Sequence, residues 1–108
     1  MRYVYPAILR PEEGIGYFVF FPDLGRGATQ GDGLADAVSM AKDALCLALY
    51  EMEESGEDIP APSDTKDLDV LENDTVISLA VDTDEYREFY ESKTTRQHSV
   101  GNELPMAK

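Results

Sequence analysis

The 108 residues suit one small domain with a single hydrophobic core, and a formal net charge of −13 is the strongest bias in their composition. A field of that sign repels phosphate backbones and attracts basic partners, so direct binding of nucleic acid by this chain is disfavoured. No apolar run approaches the roughly 20 residues that cross a bilayer, and a single cysteine excludes an internal disulfide framework. We therefore expect a cytoplasmic protein that does not contact a membrane.

Three short strands are predicted in the first third of the chain. Residues 2–10 are rich in Tyr, Val and Ile and end in a turn at residues 11–14, and residues 16–21 follow as the hairpin partner. Residues 27–31 form a brief third strand. Pro6 cannot donate a ladder hydrogen bond, so it should lie at a bulge or where its missing donor faces no neighbour.

A long amphipathic helix is the clearest element and is predicted from about residue 33 to about residue 55. Asp32 is suited to be its N-cap, and Gly56 supplies a left-handed stop after its end. Apolar residues recur at helical spacing on one face, and we interpret this stripe as core rather than a cofactor site. Its members are Leu34, Ala37, Val38, Ala41, Leu45, Ala48, Leu49 and Met52.

The remainder of the chain predicts one more strand. Residues 59–63 form an extended, proline-stiffened connection, residues 76–81 a buried strand, and residues 82–91 a short helix or turn. The order β-β-β-α-β predicts an α/β (α+β) fold in which one long helix packs on one face of a small mixed sheet. The last strand should return parallel to the first through a right-handed crossover. We place the domain at residues 1–91 and a linker or tail at residues 92–108.

Both faces of the second strand are apolar, which predicts a surface beyond the core. Because side chains alternate along a strand, Phe18 and Phe20 should lie on the side of the sheet opposite the helix. There they are either covered by residues 64–91 or available to a partner, since exposed apolar groups of this size often mark a binding site. Both alternatives remain open from the sequence.

The helix offers a second candidate surface, because Met40 and Leu47 fall outside its core stripe. We expect one apolar surface to form a homodimer or higher homo-oligomer and another to bind a different protein. Asp23 and Asp32 are weaker candidates for partner contact. Asp23 is well suited to a turn and Asp32 to a helix cap, so a structural role competes in each case.

No catalytic or metal-ligating constellation can be assembled from these residues. His98, the one histidine, lies in the predicted tail, and Cys46 sits among leucines of the helix, where a packed, inert thiol is expected. Two-metal cleavage of a phosphodiester needs several converging carboxylates. Asp82 has no acidic partner, and three helix acids lie opposite the core stripe: Asp36, Asp43 and Glu54. We therefore predict no enzyme activity, no cofactor and no metal.

Three segments resemble the N-terminal domain of HicB antitoxins in order and spacing: residues 21–24 (Phe-Pro-Asp-Leu), 29–32 (Thr-Gln-Gly-Asp) and 57–63. The resemblance covers about residues 3–81 and implies a partial ribonuclease H-like fold. It also implies an antitoxin that binds a HicA-like mRNA-cleaving toxin and masks its active surface. The alternative is an orphan oligomeric domain of the same fold that has no toxin.

Two departures from that family pattern affect these expectations. Residues 25–27 (Gly-Arg-Gly) stand where the family usually has Pro-Gly-Cys, which predicts a more flexible loop with Arg26 at its tip. Members of the family usually continue into a DNA-binding domain, and residues 92–108 are too few to form one. We therefore expect no complete C-terminal DNA-binding domain in this chain.

Overall fold

The computed structural model describes residues 1–89, and within them the elements follow the predicted order. Three strands come first, β1 (Arg2–Glu12), β2 (Gly16–Phe20) and β3 (Thr29–Gly31), followed by the long helix α1 (Leu34–Ser55). After a single 3-10 turn at Thr65–Asp67 come β4 (Thr75–Asp82) and a helical segment, α2 (residues 83–89). The strands form one sheet in the order β3-β2-β1-β4. The predicted tail and its boundary at residue 91 lie outside the described residues.

The direction of β4 differs from the prediction. β4 runs antiparallel to β1, so the sheet is antiparallel throughout, and the expectations of a mixed sheet and a parallel crossover are wrong. α1 ends beside the start of β1, where the Tyr3 hydroxyl donates to Glu53 at 2.6 Å. Residues 56–74 then carry the chain back to the far end of β1, where Asp74 pairs with Arg10. β4 must therefore enter the sheet from that end.

One face of the sheet packs against α1 and forms the core. The predicted helix stripe is buried there for most of its length, together with alternate strand residues such as Tyr5, Leu9 and Val19. Leu34 is an exception, because it remains 48% exposed. The helix touches the sheet one turn later: a Cβ on Gly31 would lie 2.5 Å from the backbone of Ala37, so only glycine permits this approach.

The two ends of α1 are built differently from each other. Its N-cap is Gly33, which makes no side-chain bond, so the prediction that Asp32 caps the helix is wrong. Instead, Asp36 in the first turn accepts from the backbone N–H of Asp32, the residue before the cap, at 3.0 Å. The C-terminal prediction is confirmed, because Gly56 adopts φ 72° and its N–H returns to the last turn.

The position of Pro6 follows from the hydrogen-bond alternation of an antiparallel pair. The N–H of Thr83 donates to the carbonyl of Met1 at 3.0 Å, so odd-numbered residues of β1 direct their backbone groups toward β4. Pro6 therefore faces the other side, where β2 has already ended opposite Ile8. The prediction that its missing donor faces no neighbour is confirmed.

Candidate partner-binding surfaces

The face of the sheet opposite α1 is partly apolar and partly open. Phe18 and Phe20 project from this face, as strand alternation predicts, but their environments differ. Phe18 is 46% exposed, and Val4 on β1 is 52% exposed. Phe20 is half-buried, because the guanidinium of Arg10 lies 4.9 Å from the centre of its ring. Of the two phenylalanines, Phe18 is therefore the one most available to a partner.

Arg10 is held over Phe20 by a residue distant in the sequence. Its Nε and Nη2 atoms donate to the two carboxylate oxygens of Asp74 at 2.9 and 2.8 Å, a bidentate geometry. The Asp74 side chain is almost fully buried and also accepts from the N–H of Leu71 at 2.8 Å. The hydrogen bond from Arg10 lowers the pKa of Asp74 below its ordinary value. The connection before β4 thus covers part of this face and leaves Phe18 uncovered.

The second candidate surface lies on the flank of α1 that adjoins β3. Met40 and Leu47 are 41% and 39% exposed, with the half-buried Ala44 between them. The loop before β3 packs beside this flank, where a Cβ on Gly27 would lie 3.4 Å from that of Ala48. Phe18 projects from the sheet face that points away from α1, so the sheet lies between Phe18 and this flank.

Arg26 does not extend freely from its loop, although the sequence suggested a flexible tip. Its guanidinium forms an ion pair with Glu57 just beyond α1, with Nη2 and Oε1 2.6 Å apart. The hydroxyl of Ser55 donates to the same carboxylate at 2.8 Å. These bonds lower the pKa of Glu57, with Arg26 as the main cause. The loop is therefore tied to the end of the helix.

Asp23 and Asp32 have different roles from each other in the structure. Asp23 accepts from the backbone N–H and the hydroxyl of Ser63, at 2.9 and 2.5 Å, and so fixes the connection after α1 against the end of β2. The hydroxyl of Tyr5 donates to the carbonyl of Pro60 in the same connection. Asp32 is exposed and is not the helix cap. The structural role expected for Asp32 is therefore absent, while that of Asp23 is a tether between distant segments.

Glu53 is a structurally central acid that the sequence reasoning did not single out. It accepts from Tyr3, from the buried hydroxyl of Thr83 at 2.9 Å, and from Arg87 at 2.8 Å. Burial, and then the hydrogen bond to Glu53, raise the pKa of Tyr3. Arg87 also lies 4.7 Å from the ring centre of Tyr50. The lone arginine in the acidic segment after β4 was the available signal for this node, which joins α2 to α1 and β1.

The remaining acids and the cysteine show no arrangement suited to catalysis in the part of the chain that the structure describes. Within residues 1–89, no group of three or more His, Cys, Asp or Glu side chains could hold a metal ion. Asp82 lies beside the amino terminus at 3.2 Å, and Glu54 bonds to Arg87. Burial raises the pKa of the Cys46 thiol, which lies 3.6 Å from the carbonyl of Asp82. No helix among these residues is long and apolar enough to span a bilayer.

Comparison with known families agrees with this architecture. A family model described as the HicB-like antitoxin of bacterial toxin-antitoxin systems matches residues 5–96. The chain belongs to this HicB-like family. The resemblance stated from the three sequence segments is thereby confirmed.

Two curated HicB relatives each match just over half of this chain. Antitoxin HicB 1 of Photorhabdus laumondii is 48% identical over 58 residues, which are 54% of this chain and 37% of the relative. Antitoxin HicB of Escherichia coli is 44% identical over 59 residues, which are 55% of this chain and 43% of the relative. The chain thus matches less than half the length of these HicB proteins.

Solved structures confirm the fold of the HicB-like domain. A chain of a toxin-antitoxin complex from Streptococcus pneumoniae superposes with a TM-score of 0.72 at 28% identity, over 80% of this chain and 73% of that one. The N-terminal domain of the Burkholderia pseudomallei antitoxin HicB superposes with a TM-score of 0.63 at 21% identity, over 74% of this chain and 99% of that domain.

Proposed function

We propose that this HicB-like chain is the antitoxin of a type II toxin-antitoxin system and acts in the cytoplasm. In this proposal it binds a HicA-like mRNA-cleaving toxin and masks the toxin's active surface. Membership of the HicB-like family over residues 5–96 is the observation that carries the proposal. The toxin's identity as HicA-like rests on the family resemblance.

The charge of the chain supports a basic protein as the partner. The sequence has 22 acidic residues against nine Lys and Arg, and several arginines are already committed to acids of the same chain. Arg10, Arg26 and Arg87 all form such ion pairs. A surface of this sign accelerates association with a basic, RNA-binding protein and repels RNA itself. Because of these charges, the chain would compete with RNA for the basic surface of the toxin.

The open part of the sheet face supports Phe18 as an apolar anchor. An exposed aromatic ring can be fully desolvated by a partner, and residues of this kind often dominate the binding free energy. Phe18 pairs in the sheet with Arg10, whose charge is neutralised by Asp74, so the ring is not beside a free cation. A basic partner would therefore meet no unpaired positive charge beside Phe18.

The proposal is tested by co-expressing the full chain with the short basic protein encoded beside it. We expect this chain to restore the cell growth that the neighbouring protein arrests when it is expressed alone. We also expect the two proteins to co-purify. Replacement Phe18→Ser should weaken binding about tenfold or more, whereas Leu34→Ser, an equally exposed apolar residue at the start of α1, should leave it nearly unchanged.

Three outcomes would count against parts of the proposal. Absence of both rescue and co-purification contradicts neutralisation by this chain. Equal binding by the two variants removes Phe18 from the interface. A chain that self-associates but binds no basic neighbour would favour the orphan oligomeric domain instead.

A further inference from the structure

The connection between α1 and β4 contains a loop that is fixed at both of its ends. We call residues 64–73 the anchored loop. Just before it, Ser63 donates to Asp23 through its backbone N–H and its hydroxyl. Just after it, Asp74 accepts two hydrogen bonds from Arg10, at 2.9 and 2.8 Å. One anchor therefore joins the loop to the end of β2, and the other joins it to β1.

The anchored loop also has internal order. Asp64 accepts from the backbone N–H of Lys66 at 3.2 Å and begins the 3-10 turn at Thr65–Asp67. Near the other end, the N–H of Leu71 donates to the Asp74 carboxylate at 2.8 Å, and the N–H of Asp74 returns to the carbonyl of Leu71 at 3.1 Å. A loop that is ordered in advance loses less conformational entropy when a partner binds it.

Two adjacent aliphatic side chains on this loop are left in water. Val70 is 45% exposed and Leu71 is 60% exposed, whereas the nearby Leu68 is half-buried. Single exposed apolar residues are common on protein surfaces, but apolar groups that lie together more often mark a contact with another molecule. The anchors thus hold an apolar pair at the surface.

Unpaired acids surround this apolar pair. The carboxylates of Asp67, Asp69 and Glu72 are exposed and make no hydrogen bond or ion pair with the other described residues, 1–89. Lys66, the one basic residue of the loop, lies 3.9 Å from Asp64. RNA or a second copy of this acidic chain would bring more negative charge to the loop and would be repelled. A basic protein is the partner that these charges favour.

The anchored loop is close to Phe18, which the proposed function already assigns to the toxin contact. A cavity of about 330 Å³ lies where the loop meets the end of β1, and it is lined by residues 10–12 and 71–74. Arg10 in this cavity is the neighbour of Phe18 across the β1–β2 ladder. Because adjacent strands are only about 4.8 Å apart, one partner can contact both Phe18 and the loop.

We propose that the anchored loop is a second contact site for the basic toxin, beside Phe18. Val70 and Leu71 pack against apolar side chains of the toxin, and the three unpaired acids of the loop face its lysines and arginines. This inference rests on the proposed function, since it names further residues that hold the same partner. It also gives the two anchors a role, which is to hold the loop in the conformation that binds.

The apolar part of the proposal is tested with Leu71→Ser in the full chain. The probe is the short basic protein encoded beside this chain, and surface plasmon resonance measures both rate constants. Leu71→Ser should raise the dissociation rate about tenfold or more and leave the association rate nearly unchanged, because a desolvated contact acts after the encounter. Leu34→Ser, which removes an exposed leucine from the start of α1, should change neither rate.

The charged part is tested by comparing Asp69→Asn with Asp43→Asn. Both variants remove one exposed carboxylate, but Asp43 lies on α1, on the other face of the sheet. Asp69→Asn should lower the association rate about threefold and reduce its dependence on salt, because a charge at the contact site steers the encounter most strongly. Asp43→Asn should lower the association rate by a smaller factor.

Hydrogen exchange of the wild type keeps the proposal falsifiable even if a variant does not fold. The amides of residues 68–73 should exchange more slowly once the basic protein is added. The proposal is overturned if these amides are not protected, if a folded Leu71→Ser variant dissociates as slowly as wild type, or if the two aspartate variants associate equally fast. A wild type that binds the basic protein while any of these results is found retains the proposed function and loses only the loop. A wild type that does not bind overturns both.

Discussion

The two faces of the sheet show how one strand pattern can lead to two kinds of surface. On the face under α1, Leu9 and Val19 are almost completely buried. On the opposite face, Ile8 is also buried, but Val4 and Phe18 keep about half of their surface exposed. Both faces are apolar in sequence, and only the first has a helix to cover it. Apolar alternation alone therefore does not distinguish core from a binding surface.

α1, like the sheet, has a buried side and a partly exposed side. The largest expected effect on stability comes from comparing a leucine on each of these two sides. Leu45 is fully buried against the sheet, whereas Leu47, two residues later, lies on the partly exposed flank. Leu45→Ala should lower the free energy of unfolding by about 3 kcal/mol, because it leaves a cavity in the core. Leu47→Ala should lower it by less than about 1 kcal/mol. Urea unfolding followed by circular dichroism measures both, and equal losses would remove the distinction between stripe and flank.

A smaller effect should follow from releasing Arg10 on the outer face. Arg10 lowers the folded-state pKa of Asp74, so their pairing contributes stability above the unfolded-state pKa of about 3.9 and loses it as pH falls through the folded value. Asp74→Asn should therefore lower the thermal unfolding midpoint most at neutral pH. The difference from wild type should shrink below pH about 4. A difference that stays constant with pH would mean that the ion pair does not hold this face together.

The smallest expected effect concerns Asp23 and Asp32. From the sequence, both were weak candidates for partner contact with a competing structural role. Asp23 tethers the connection through Ser63, and its replacement by Ala should cost about 1 kcal/mol. Asp32 makes no cap, so Asp32→Ala should change the unfolding free energy by less than about 0.5 kcal/mol. Asp32→Ala is the matched control, because both variants remove one carboxylate charge. A large loss in Asp32→Ala would restore the capping role that the structure assigns to Gly33.

α1 is the element that the sequence predicted best. Its helical period and the glycine at residue 56 determine its length and its buried stripe, and both signals are local. The N-terminal cap was predicted wrongly because Asp32 and Gly33 both suit that position. In the structure Gly33 is the cap, and the nearby Gly31 packs against the backbone of Ala37. The local sequence pattern does not reveal this contact.

The candidate surfaces were predictable only in part. Strand alternation placed Phe18 and Phe20 on the outer face, since side chains alternate with a fixed period of two. It could not separate them, because Phe20 is covered through Arg10 and Asp74, which are 64 positions apart in the sequence. Glu53 was missed for the same reason, since its partners lie far from it in the sequence, Tyr3 in β1 and both Thr83 and Arg87 in α2.

The amino-acid sequence by itself determined the order of the elements, the acidic character, the family and the side of the sheet on which each strand residue lies. These properties depend on composition, short motifs and local periodicity. Only the tertiary structure decided that β4 runs antiparallel to β1, that Phe18 rather than Phe20 is open, and that residues 64–73 are fixed at both ends. Each of these depends on the path of residues 56–74 and on contacts between distant residues, which no local pattern specifies.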